Sequence, residues 1–253
     1  MFRKLASVAV LGAALFLGTV GRASATLVTF AQFTENASSP SNPFTYQNLG
    51  NGYTLYTATI PVNFIYLANN GVTAWTGAPL GVPIASTLTM SAVASAPAQS
   101  LAGGLIYSET FQNISMQFTA NTPVGPYGGT NLLTLGSNAS NGVTGTFLGT
   151  SGGTSPVMTG STTSGNNVSF SSDFLDFKTV VNEDFSLSFS SLTPNGLGIG
   201  GDGYFNPFTA SGVGTFSSDP APLPTLPEPG VVAFAVSMGA SGLYGLRRKL
   251  KTR

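Results

Sequence analysis

Phe185-Ser186-Leu187-Ser188-Phe189-Ser190 sets a large apolar side chain on every second residue and a hydroxyl between each pair. A period of two sends the two sets to opposite faces of an extended chain, so this stretch is a half-buried β-strand. Ile114, Met116 and Phe118 alternate with Ser115, Gln117 and Thr119 in the same way, and Ile60, Val62, Phe64 and Tyr66 hold one face around Pro61, Asn63 and Ile65. Residues 27–33, 53–59, 86–93, 132–135, 143–148, 168–174 and 209–216 are further strand candidates. Asn51-Gly52, Asn70-Gly71, Asn141-Gly142, Asn195-Gly196 and Asp202-Gly203 supply the positive-φ residues of tight turns. Pro61, inside a good pattern, marks an edge strand or a bulge. Residues 149–167, nearly all Gly, Ser, Thr and Asn, read as a long loop.

No stretch of residues 26–218 carries a capped apolar period of 3.6. The expected fold is therefore all-β: a single antiparallel β-sandwich, with jelly-roll and immunoglobulin-like topologies both open, since one curled sheet would leave its apolar face wet.

The two ends of the chain have a different character. Arg3 and Lys4 precede an uninterrupted apolar run at residues 8–17, and Ala23-Ser24-Ala25 is a small-x-small cleavage site. Residues 1–25 thus form an expected signal peptide, cut after Ala25. At the other end, Pro227-Glu228-Pro229 leads into an uncharged stretch, 230–246, followed by Arg247, Arg248, Lys249, Lys251 and Arg253. Seventeen residues are barely enough to span a bilayer, and Gly230, Gly239, Gly242 and Gly245 keep the stretch weakly apolar. The five cations act as a stop on the cytoplasmic side, leaving everything upstream outside. Residues 219–226, rich in proline, are the expected stalk.

Leu226-Pro227-Glu228-Pro229, the glycine-rich run and Leu246-Arg247-Arg248-Lys249 together resemble the PEP-CTERM sorting tail of Gram-negative bacteria. The resemblance is confined to residues 227–253. It implies recognition by exosortase, a membrane-embedded transpeptidase-like enzyme, a transient stay in the inner membrane, and release to the cell surface or matrix of bacteria that make exopolysaccharide. The sortase signal Leu-Pro-x-Thr-Gly is also similar to Leu226-Pro227-Glu228-Pro229-Gly230, but Pro229 replaces the threonine that supplies the scissile carbonyl.

A formal net charge of zero hides a segregation. Between residues 26 and 226 the only cation is Lys178, against Glu35, Glu109, Asp173, Asp176, Glu183, Asp184, Asp202 and Asp219. Nucleic acid is a poor partner for such a surface. With no histidine and no cysteine anywhere in the chain, Ser-His-Asp and Cys-His nucleophiles and ordinary zinc sites are excluded, as is a disulfide framework. A Ser-Lys dyad has only Lys178 to draw on.

The remaining chemistry is carboxylate and aromatic. A glycosidase-like pair is arithmetically available among Glu109, Asp173, Asp176, Glu183 and Asp184, but no motif supports it. Asp173, Asp176, Glu183 and Asp184 crowd into twelve residues and offer the hard oxygens calcium takes, without the EF-hand order; a solvated turn is the plainer reading. Trp75, the lone tryptophan, is a candidate sugar-stacking residue. Gly198-Ile199-Gly200-Gly201-Asp202-Gly203 spells G-x-G-x-x-G outside any βαβ unit and reads as a flexible loop. These features point to an exported, non-catalytic surface or matrix protein without a cofactor. The alternatives are a module that binds the host's exopolysaccharide or, less favoured, an enzyme acting on it.

Overall fold

The structure is a computed structural model that describes residues 27–50, 52–67, 80–125, 128–136, 142–194, 196–219 and 222–224. Its strands are β1 (Val28–Glu35), β2 (Phe44–Asn48), β3 (Tyr53–Tyr66), β4 (Ile84–Ala94), β5 (Gln99–Leu101), β6 (Ile106–Val124), β7 (Gly129–Leu135), β8 (Val143–Thr150), β9 (Val157–Ser161), β10 (Phe170–Ser171), β11 (Leu175–Asp176), β12 (Asn182–Thr193), β13 (Phe208–Asp219) and β14 (Leu223–Pro224). The fold is all-β, and every pairing between these strands is antiparallel.

Twelve strands belong to one sheet. Following its pairings from β1 to β3, β4, β6, β8, β9, β12 and β13 leads back to β1, so the sheet closes on itself in chain order. Alternating apolar and polar residues suit two stacked sheets equally well, which is why the sequence pattern suggests them. Closure buries the apolar face just as a second sheet would, and it leaves fewer open edges. At one end of the circuit β2 replaces β1 between β3 and β13, and at the other β7 runs beside β6 where β8 has ended.

Bulges let the long strands bend. Ala58 and Thr59 of β3 are both exposed where its register against β4 shifts, and the buried set passes from Leu55 and Thr57 to Ile60, Val62 and Phe64. Pro61 lies just past this bulge, in register with Thr87 of β4, and not within it. In β6, Gln112 and Asn113 are exposed in succession, Asn113 has φ 52°, and the buried phase moves from Glu109 and Phe111 to Ile114, Met116 and Phe118. Each extra residue strengthens the local twist that a closed sheet requires.

Two local expectations need correcting. Residues 149–167 are not one long loop, because β9 crosses them, pairs with β8 and β12, and buries Met158. Gly160 in that strand lets Phe185 pack flat; a Cβ there would come within 2.6 Å of the Thr144 carbonyl oxygen and collide with the Phe185 ring. Residues 168–174 give only the two-residue β10. Beyond β13, Leu223 and Pro224 of the proline-rich segment pair with Leu175 and Asp176 and so lie against the domain.

The interior is aromatic. Phe33, Phe64, Phe118 and Phe216 pack together midway, with ring centroids 5.0–6.5 Å apart. Phe111, Phe147, Phe205 and Phe208 fill one end and Phe30, Phe170 and Phe177 the other. Among the described residues there is no α-helix, and no helix long and apolar enough to cross a membrane; residues 230–246 lie outside them.

Candidate functional site

The two ends of the sheet each hold one perturbed glutamate. Glu183, at the start of β12, lies in an open cleft of ≈ 400 Å³. One wall is Ser169 to Ser172 around β10; the other is Leu175 to Lys178 around β11. The Phe170 backbone N–H donates to Glu183 Oε1 at 3.3 Å. Burial nevertheless dominates and pushes the carboxyl up to about 7, with the Phe170 amide pulling the other way. Lys178 Nζ reaches Asp176 Oδ2 at 3.9 Å while its own side chain is almost fully exposed, a loose pairing that does little to neutralise the cleft. Ser hydroxyls, two carboxyls and the half-buried Phe177 ring can bind a hydroxylated ligand by hydrogen bonds and stacking.

The acidic quartet does not converge. Asp173 Oδ2 accepts from the backbone N–H groups of Thr130 and Asn131, 2.9 Å each, and so ties down the start of β7. Asp176 Oδ1 accepts from the Lys178 N–H in a local turn. Glu183 and Asp184 are consecutive in a strand and project to opposite faces. Among the described residues, no group of three or more Asp and Glu side chains is placed to hold a metal ion. The calcium alternative thus gains no geometry from the fold. Nor do the five carboxylates of the glycosidase reading meet, because Glu109 sits at the far end of the strands. Of the five, Asp176 and Glu183 line the cleft described above.

Glu109 is the residue that sequence reasoning undervalued. It is 1 % exposed and points into the sheet beside Phe111 and Phe147. The Tyr46 hydroxyl donates to its Oε1 at 3.0 Å, and Oε2 has no hydrogen-bond partner. Burial pushes the carboxyl up to about 7, against the Tyr46 hydroxyl and the nearby Phe205 amide, which favour the ionised form. Burial, and then the charge of Glu109, raises Tyr46 in turn. The signal in the sequence is its phase: Glu109 takes the inward place between Tyr107 and Phe111.

Four rings stack in a column from the surface to this carboxyl's neighbour: Tyr204 on Tyr53 at 4.8 Å, Tyr53 on Tyr46 at 5.3 Å, and Tyr46 on Phe208 at 5.1 Å. The Tyr53 hydroxyl donates to Asp202 Oδ2; that bond raises Tyr53 and holds Asp202 below the usual carboxylate range. The glycine-rich motif, expected to be a flexible loop, has the hydrogen bonds of a hairpin. Gly200 N–H donates to the Tyr204 carbonyl at 2.7 Å and Asn206 N–H to the Gly198 carbonyl at 2.8 Å. Gly203, at φ +87°, makes the turn that a residue with a side chain would resist.

The cleavage-site alanines Ala23 and Ala25, the sorting residues Pro227, Glu228 and Pro229, the cations Arg247, Arg248, Lys249, Lys251 and Arg253, and Trp75 all lie outside the described residues. The class that fold and site define is an acidic all-β domain built on a closed antiparallel sheet. No protein-family model, no curated protein and no solved structure matches the chain.

Proposed function

We propose that this chain is an exported, non-catalytic cell-surface or extracellular-matrix protein. Its precursor is held briefly in the inner membrane by residues 230–246 and released when an exosortase-like enzyme processes the tail. The exported part is a sandwich-like all-β body whose antiparallel sheet closes around its core. The observation that carries the reading is the order of parts in the sequence: Pro227-Glu228-Pro229, a weakly apolar run, then five cations. The charge segregation supports it, since eight of the nine cations belong to the two targeting ends. The non-catalytic part of the reading rests on the lack of histidine and cysteine in the sequence.

The experiment is intact mass of the protein released by a host that carries an exosortase. The expected mature chain begins at Thr26 and ends between Pro227 and Gly230. Recovery of a membrane-bound form still ending in Arg253 contradicts the proposal. A second reading, binding of the host's exopolysaccharide, is favoured by the hydroxyl-lined cleft around Glu183. A carbohydrate array probed with the full chain and with Glu183→Ala decides it: spots lost in the variant support sugar binding at the cleft, and an empty array removes the reading.

A further inference from the structure

A buried carboxyl oxygen without a partner is rare in folded proteins and calls for a reason. Glu109 Oε2 is such an atom, and beside it lies a cover, residues 197–208, whose Phe205 amide and Asp202 carboxylate both act on Glu109. The cover lays Phe205, 1 % exposed, against Tyr46 and Phe147. Few bonds fasten it. Ala98 N–H donates to the Gly203 carbonyl at 2.8 Å, Gly152 N–H to the Leu197 carbonyl at 2.8 Å, and Leu197 N–H to the Gly153 carbonyl at 2.9 Å. The Tyr53 hydroxyl on Asp202 adds another, the Phe205 amide lies near Glu109, and Phe208, the last residue of the segment, already pairs with Tyr46 in the β13–β2 ladder. β12 and β13 on either side of it, by contrast, pair with each other over most of their length.

A negative charge on Glu109 meets the Tyr46 hydroxyl and the Phe205 amide of the cover, but no cation. Tyr46 faces it from β2, Tyr53 stands behind Tyr46 from β3, Tyr107 shares its own strand, and Asp202 and Tyr204 come from the cover; Phe147 of β8 and Phe208 of β13 are apolar. Of these only Asp202 carries charge at neutral pH, and it is negative. The one cation of residues 26–226, Lys178, belongs to the opposite end of the strands. A carboxylate in this place gains by reaching water, and the cover, tied at Leu197, Asp202 and Gly203 with no strand ladder before Phe208, is an element that can give way to it.

We propose that residues 197–208 form a proton-latched cover, shut over Glu109 while its carboxyl is neutral and opening the end of the sheet's interior to water when the proton leaves. The raised affinity of Glu109 for its proton agrees with this. A group that binds its proton more tightly in the closed form favours closure fully at low pH, and that contribution falls as pH rises toward 7.

The test is amide hydrogen exchange by mass spectrometry on the full chain in mild detergent, at pH 5 and pH 8, corrected for the intrinsic pH dependence of exchange. Protection of peptides from residues 197–208 is expected to fall by up to several tens of fold, the ceiling set by a shift of the carboxyl from its usual range to about 7. Peptides from β4 and β6 should hold their protection, and Glu109→Gln should keep the cover at its pH 5 level throughout. Equal corrected protection of residues 197–208 at both pH values overturns the proposal, as does an unchanged pH dependence in Glu109→Gln. Should that variant not fold, the wild-type comparison of the cover with β4 and β6 decides alone.

Discussion

The end of the sheet that holds Glu109 and the end that holds Glu183 make a controlled pair. Both carboxyls are pushed up to about 7, and burial is the leading cause in both. Their settings differ. Glu109 is sealed beneath a hairpin with one hydrogen bond from Tyr46, whereas Glu183 opens onto a cleft and accepts from a backbone amide. A similar shift therefore has different consequences. At the open end, water and ligands reach the carboxyl without any change of fold, and at the sealed end ionisation acts on the fold itself.

The largest expected effect separates the packing of the two ends. Phe147 is fully buried among Phe111, Phe189, Phe205 and Phe208, so Phe147→Ala should cost about 3–5 kcal/mol in chemical denaturation. Phe177 at the open end is only half-buried, and Phe177→Ala should cost about 1 kcal/mol. Equal losses would mean that the cleft end is as tightly packed as the sealed one.

The next effect separates the carboxyls. For an acid bound more tightly to its proton in the folded form, stability is full below the ordinary pKa of 4.5 and is lost as pH rises to about 7. Glu109→Gln should therefore gain roughly 2–3 kcal/mol over wild type at pH 8 and almost nothing at pH 4. Glu183→Gln should show the same sign at about 1 kcal/mol, because solvent in the cleft screens it. A larger gain from Glu183 than from Glu109 would reverse the assignment of sealed and open ends.

The sequence carries much of the fold and little of this contrast. Phe185, Leu187 and Phe189 are buried and Ser188 and Ser190 exposed, as their alternation requires, and Ile114, Met116 and Phe118 behave alike. The strand through Met158 escapes the same logic because Gly160 replaces an apolar residue where the Phe185 ring fills the space. Closure escapes it as well, since pairing between β1 and β13 joins residues about 180 positions apart and leaves no local trace. At the candidate sites, crowding in sequence is a poor guide: Glu183 and Asp184 are adjacent and face apart. Glu109 was legible only through phase, and bulges such as the one at Asn113 reset that phase within a single strand.

The most direct test of the contrast between the ends is the titration of Glu109 itself, followed by its side-chain carboxyl carbon shift in NMR with Glu109→Gln to assign the signal. The account predicts a midpoint near 7, with resonances of the 197–208 hairpin moving over the same pH range while those of Glu183's cleft follow Glu183 alone. A midpoint near 4.5, or a midpoint near 7 that leaves the hairpin unmoved, would contradict it.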